Sequence, residues 1–411
     1  MDNANTLPDP APLSPGRRIK YWRERRGMTR EVLGGLVGKS ASWVKAIEAE
    51  RLQPPRLPTL LRIADVLRIR NLADLTGDQS MPIKMFTGPG HAALPQVRAA
   101  INDYALSADG PPPNPAHLRA QLARSWAARH SSPDHRTVLG GILPDLLRDA
   151  QYLARATHGP QRREANAILA EAYNLCQFFL AYQPAADLLW RVAERAMLAA
   201  QESEDPATIA GAAWLLAQAH RDAGDWDAAD HVNLEVLRRL EPLAPDTNIN
   251  LAAMVGALHF EAAYTAARAG RSGDAWHYWD KAKHIADHLP PTYFHPMTSF
   301  SRIIMGAHAV TVDVELRKGG ESVKLARRVK AELIPSQPRR GRHLIEVARA
   351  YHLDNDMDSA LRTLEDAYTT APETIRYNGY ARRIVLELLE EEAAPLRNRA
   401  QLLAGKVGLL D

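Results

Sequence analysis

Apolar positions recur at helical spacing along the first part of the chain, in short bursts broken by glycine or proline. A helix is expected over residues 15–26, with Ser14 as N-cap, Pro15 at its first position, Gly27 after its end, and Ile19 and Trp22 facing inward. Thr29 can cap a second helix whose apolar stripe is Val32, Leu33, Leu36 and Val37, and Gly38 permits a sharp reversal. Ser40 then caps a third helix, with Val44 and Ile47 inward and Ala41, Ser42, Lys45 and Ala46 outward. After the Pro-rich stretch ERLQPPRLP, a fourth helix over 58–67 presents Leu60, Ile63, Ala64 and Leu67, and a fifth short element over 71–76 ends at Gly77.

From residue 94 onward no alternating strand pattern occurs, and the chain reads as helix after helix. The breaks are GDWD, AGRSGD, KGGES and DNDMD, each followed by a small residue and an amphipathic stretch: Ala229, Ala275, Ser322 and Ala360. Ala186, after AYQPA, is an earlier member. These positions lie about 43, 46, 47 and 38 residues apart, near the period of helix-pair solenoids. The pattern divides the chain into an acidic, Pro-rich tail over 1–12, expected to be disordered, a helical head over 13–77, a linker over 78–94 and a helical-repeat body over 95–411. The segment SADGPPPNP interrupts the first helices of the body. The fold class expected is all-α.

Charge sharpens the division. Residues 13–77 carry 14 Lys and Arg against 6 Asp and Glu, whereas the whole chain has a net charge of only +3. A basic head on a mildly acidic body suggests one module for a polyanion and another of a different kind. The single cysteine, Cys176, excludes an internal disulfide framework, and no apolar run is long enough to span a membrane. A cytoplasmic protein is expected.

Two helices joined by a short glycine turn, the second with a small polar outer face, outline a helix-turn-helix, and such a face fits a major groove. The string RERRGMTREVLGGLVGKSASWVKAIEAERLQPP followed by LPTLLRIADVL resembles the Xre/Cro-like helix-turn-helix family of bacterial and phage repressors. The resemblance implies double-stranded DNA as partner and an ion pair between Arg23 and Glu48. It implies Arg30 on backbone phosphate and base-reading positions at Ala41, Ser42, Lys45 and Ala46. The expected DNA-facing set is Arg30, Lys39, Ser40, Ala41, Ser42, Trp43, Lys45 and Arg51. Trp43 either plugs the domain's own core or lies against the DNA backbone. Gly34 and Gly35 stand where better helix formers are usual, which suits a close approach of the second and third helices. Glu50 takes a turn position where glycine is common.

The body resembles degenerate tetratricopeptide repeats, most clearly at Leu344, Val347, Ala348, Tyr351, Ala360, Leu364, Ala367 and Pro372. That likeness implies a concave groove lined by the first helix of each pair. Trp214, Gln218, Arg221, Phe260, Tyr264, Arg342 and Arg349 are the candidate effector-binding residues, set against the reading that they are packing residues and a solvated rim. Arg268, Ile345 and His352 fall on the same expected face.

Catalytic and metal chemistry finds little support. His284 and His288 form an i, i+4 pair without a third ligand. Asp354, Asp356, Asp358 and Glu365 mimic a calcium loop, but Ser359 replaces its glycine and a helix cap is expected instead. Phosphate-loop, dinucleotide and nucleophile-elbow motifs do not occur. The expectation is a non-enzymatic, cofactor-free transcriptional regulator, similar in layout to actinobacterial Xre-type regulators and to peptide-responsive regulators of Gram-positive bacteria. Its repeats would form a homodimer and bind a peptide or small-molecule effector. The alternative is a DNA-binding adaptor whose repeats recruit a protein partner.

Overall fold

The computed structural model describes residues 13–51, 55, 57–69, 72–76, 90–104, 110–243, 248–391 and 393–410. The tail over 1–12 and the linker up to residue 89 lie outside these. Among the described residues the architecture is all-α, with no strand. The head comprises α1 (Pro15–Arg25), α2 (Arg30–Leu36), α3 (Ala41–Glu48), α4 (Leu57–Val66) and α5 (Ala73–Thr76). They pack around Ile19, Leu33, Val37, Val44, Ile47, Ile63 and Leu67.

Local chemistry fixes these elements. Thr29 Oγ1 accepts from the Val32 amide (3.3 Å) and Ser40 Oγ from the Trp43 amide (3.1 Å), capping α2 and α3. Ser14 occupies the N-cap position of α1 but makes no side-chain cap bond. Gly34 is a packing necessity: a Cβ there would stand 2.7 Å from the Lys39 carbonyl oxygen. Gly35 faces open space, so the close-approach argument applies to only one of the pair. Glu50 does take the left-handed turn, at φ 57°. One expectation fails: Val32 is 48% exposed. The inner line of the short helix α2 runs through Leu33 and Val37, one turn apart, and Val32 sits about 100° off it.

The body opens with α6 (Leu94–Ile101), α7 (Pro115–Ser131) and α8 (His135–Ala156). Five hairpins follow: α9 (Gly159–Leu180) with α10 (Ala186–Ser203), α11 (Pro206–Ala223) with α12 (Trp226–Leu240), α13 (Ile249–Arg268) with α14 (Ser272–His288), α15 (Ile304–Glu315) with α16 (Gly319–Ala326), and α17 (Gln337–Leu353) with α18 (Met357–Thr370). A terminal cap of α19 (Pro372–Tyr377), α20 (Gly379–Leu388) and α21 (Ala394–Lys406) completes the chain. Each first helix stacks on the next, α9 on α11 on α13 on α15 on α17, as in a tetratricopeptide-like solenoid.

All five hairpin breaks fall where the sequence pattern put them. Each contains one left-handed residue: Tyr182, Gly224, Gly270, Arg317 and Asn355. Ala229, Ala275, Ser322 and Ala360 are fully buried just beyond. At the fourth break the turn belongs to Arg317, just before KGGES, and Gly319 serves close packing instead, since a Cβ there would meet the backbone of Leu353 and Asp354 at 2.9 Å. Asp356 caps α18 by accepting from the Ser359 amide (3.0 Å), while Asp358 and Glu365 pair with Arg399. Residues 90–93, assigned to the linker from sequence, sit on the body: the His91 amide donates to Gln183 Oε1 (2.7 Å) and its ring meets the edge of Phe179.

Head and body keep separate apolar cores among the described residues and meet through charge. Asp65 on α4 lies 3.0 Å from Arg317 and 3.1 Å from Arg383. Arg62 pairs with Glu387 beside His352. Arg68, just past α4, lies over the Trp226 ring at 4.4 Å and donates to the Arg268 carbonyl.

Candidate DNA-binding face and concave cavity

The α2–turn–α3 unit is braced from beneath by one carboxylate. Glu48 Oε1 accepts from Arg23 Nε, and Glu48 Oε2 accepts from both Arg23 Nη2 (3.1 Å) and Arg30 Nε (2.7 Å). Arg23 is completed by the Met28 carbonyl (2.7 Å). Arg23 and Glu48 thus stand together as the resemblance implied. Arg30 also belongs to this cluster, with 38% of its side chain in solvent.

Above the brace, Lys39, Ser40, Ser42, Lys45 and Arg51 are exposed, and Ala41 and Ala46 are half-buried. Trp43 is half-buried against the head's core, with the Lys39 ammonium 5.9 Å from its ring centre. Its ring is therefore mostly a packing element whose outer edge borders the face. No residue of α3 makes a hydrogen bond or ion pair with the body among the described residues.

The second site is a cavity of about 90 Å³ on the inner layer of first helices. Six of the seven residues proposed from sequence line it: Trp214, Gln218 and Arg221 from α11, Phe260 and Tyr264 from α13, and Arg342 from α17. Arg349 stands one turn away, bonded to Glu346 (2.6 Å) and Glu315 (2.7 Å). Of the other residues read onto this face, Ile345 is fully buried core, Arg268 joins Glu315, and His352 faces Arg62. Sequence reasoning missed Phe178, Glu261, His308, Arg339, His343 and Glu346. The signal lay in the α17 register, because 339, 342, 346 and 349 follow one face and 345 does not.

Inside, Arg221 is paired with Glu261 and lies over the Tyr264 ring at 4.0 Å. Arg342 pairs with Glu346 at 2.5 Å and donates to the Tyr264 hydroxyl (3.2 Å). The His308 ring stacks on Phe260, and burial holds its pKa well below the ordinary value. Burial, with Arg339 nearby, pushes His343 down to about 4. Both imidazoles are neutral at pH 7, so the cavity's positive charge is carried by its arginines, while burial pushes Glu261 up to about 8 against the pull of Arg221. Buried atoms without a hydrogen-bond partner gather here: Trp214 Nε1, Arg342 Nη1 and His343 Nδ1.

A wider groove holds His259, His277 and His284 with Glu241, and His259 Nε2 lies 3.3 Å from Glu241 Oε1. His288 Nδ1 donates to the His284 carbonyl (2.8 Å). Among the described residues no group of three or more His, Cys, Asp or Glu converges on a metal position. Cys176 is fully buried, and its burial pushes the thiol pKa up. No described helix is long and apolar enough to cross a membrane.

Residues 16–74 match the family model of a helix-turn-helix domain. The head is thereby a helix-turn-helix domain, and behind it stands an all-α, repeat-like body. Among solved structures, the chain is similar to PlcR of Bacillus thuringiensis in complex with the peptide PapR7 and DNA, at 12% identity and a TM-score of 0.31, over 88% of this chain and 98% of that one. No curated protein matches.

Proposed function

We propose that this chain is a sequence-specific, Xre-type transcriptional regulator: α3 reads the operator, two copies act together as a homodimer, and the inner layer of the repeats holds an effector. The exposure of Ser42 and Lys45 on α3, while α4 makes the contacts with the body, carries the reading. Lys45 presents donors for base edges, Ser42 a small polar contact, and Lys39, Ser40, Arg30 and Arg51 surround them for phosphate. A dimer on DNA places its two heads about one helical turn, ~34 Å, apart or a multiple of it. As it stands the free space, about 90 Å³, is well below the ~300–1,000 Å³ of a pocket for a drug-sized ligand. A larger ligand therefore enters by changing the spacing of α11, α13 and α17.

The test is selection of bound sites from a random duplex pool, then band shifts over a salt series. Lys45→Ala is expected to weaken the selected site by about 1–3 kcal/mol and to relax sequence choice at one position. Arg30→Ala is expected to weaken all duplexes alike and to lower the salt slope by roughly one. Equal losses on every duplex for Lys45→Ala would remove α3 as the reader.

A further inference from the structure

The charges inside the concave cavity do not balance. Glu261 is engaged by Arg221 and Glu346 by Arg342 and Arg349. The Arg339 guanidinium, also in the lining and half-buried, has no hydrogen bond or ion pair among the described residues. A second guanidinium of the same kind stands behind the Phe178 wall. Arg129 is 8% exposed, its charged end lies 4.1 Å from the Phe178 ring centre, and its Nε has no partner. Its one hydrogen bond is to the neighbouring His130 ring (3.2 Å). The end of α7 and the start of α17 are tied together here, because His130 Nδ1 lies 2.8 Å from Ser336 Oγ, the N-cap of α17, three residues before Arg339. The α17 N-terminus adds its own positive end.

Resting on the effector reading above, we infer that this cavity is the seat of a small organic carboxylate, its anionic group held by Arg339 and the unused Arg342 Nη1, with Arg129 adding positive charge from behind Phe178, and its apolar body against Phe178, Trp214 and Phe260. A buried guanidinium at Arg129 and a half-buried one at Arg339, neither ion-paired among the described residues, are costly unless something compensates them. Burial and the neighbouring Arg339 lower Arg129 to about 9, and burial and Arg342 lower Arg339 to about 10, yet both remain charged at pH 7. A planar carboxylate matches the guanidinium fork. The aromatic walls exclude a bare inorganic anion as the best fit, and Trp214 Nε1 is an unused donor for an acceptor on the ligand.

The experiment uses the full chain and measures thermal shift and calorimetric binding with benzoate, phenylacetate, benzamide, phenylacetamide and inorganic phosphate. The acids are expected to raise the Tm and their neutral amides not to. Arg339→Gln is expected to weaken acid binding at least about tenfold, the value of a charge-assisted hydrogen bond, and Arg129→Gln to weaken it by less. Without ligand, Arg339→Met is expected to raise the Tm, because it removes an unpaired, half-buried charge, whereas a structural arginine would lower it. Amides that bind as well as the acids, with binding lost in Phe260→Ala, overturn the carboxylate seat and leave the cavity as a binding site. Phosphate binding tighter than the acids overturns the apolar half of the inference. No shift by any probe, with Arg339→Met lowering the Tm, sinks both this inference and the effector reading.

Discussion

Glu48→Ala is the sharpest perturbation of the head. The Glu48 side chain is 2% exposed and that of Arg23 is 7% exposed. Removing the carboxylate leaves Arg23 buried with the Met28 carbonyl and the half-exposed Glu24 as its partners. Stranding one member of a buried pair costs about 3–5 kcal/mol. A domain of roughly 60 residues has about 3–9 kcal/mol in total, at ~0.05–0.15 kcal/mol per residue. The substitution is therefore expected to melt the head under conditions where the body stays folded, since their apolar cores are separate. Arg30→Ala removes the more exposed limb of the same cluster and is expected to cost no more than about 1 kcal/mol. The assay is native-state hydrogen exchange read by mass spectrometry, comparing amides of α1–α4 with those of α9–α13. Glu48→Ala is expected to bring the head amides close to full exchange and leave the body unchanged. A loss below about 1 kcal/mol in the head would refute the claim that this buried pair braces the α2–α3 angle.

The two glycines of α2 are expected to respond with opposite signs. Gly34→Ala drives a Cβ onto the Lys39 backbone and costs about 1–3 kcal/mol, whereas Gly35→Ala meets open space and gains up to ~1 kcal/mol of helix propensity, both measured by urea unfolding of the full chain. Asp65→Asn is expected to loosen the head from the body, read as a larger radius of gyration in small-angle scattering. Burial alone would raise the Asp65 carboxyl, but Arg383 and Arg317 pull it well below the ordinary carboxylate range. A depressed folded pKa gives stabilisation that is full above the unfolded value near ~4 and is lost only as pH falls through the folded one. The wild-type radius is thus expected to stay constant between pH 7 and pH 5.

The hairpin breaks were legible because turn chemistry is local. A left-handed residue and a cap fit within five residues, and Gly224, Gly270 and Asp356 announce themselves. The brace of the head was legible through resemblance, since nothing in the local pattern ties Arg23 to Glu48 across twenty-five positions. The cavity was half legible. On α11 and α13 the groove face was read in the right register, but on α17 it drifted onto Ile345, because arginines on both sides of the helix look alike in sequence. Arg129 was not legible at all. It lies on α7, outside the repeating pattern, and only the fold brings it behind Phe178. The docking of α4 was equally hidden, because Arg62, Asp65 and Arg68 read as the solvated face of an amphipathic helix.

That docking gives the cavity a route to the head, because three helices contribute to both. On α13, Tyr264 lines the cavity and Arg268, one turn on, receives Arg68. On α15, Thr311 lines it and Arg317, just past the helix end, holds Asp65. On α17, Glu346 lines it and His352 faces Arg62. At 1.5 Å per residue these steps are about 6–9 Å, so no long relay is needed. A ligand that spreads the three helices moves the separate anchors of α4 by different amounts, and ion pairs at 3 Å do not tolerate such shear. A ligand that fills the layer without spreading it ties Arg339 and Arg342 in place and holds the anchors together. Ligand size relative to the small free volume then sets the sign of the response. Reciprocity adds a constraint: whatever factor a ligand imposes on DNA affinity, DNA imposes on the ligand. Since the head is held by a few partly exposed pairs, each worth about 1–3 kcal/mol at most, the coupling is bounded near that range. A device of this kind tunes operator occupancy by tens of fold rather than switching it by many thousands.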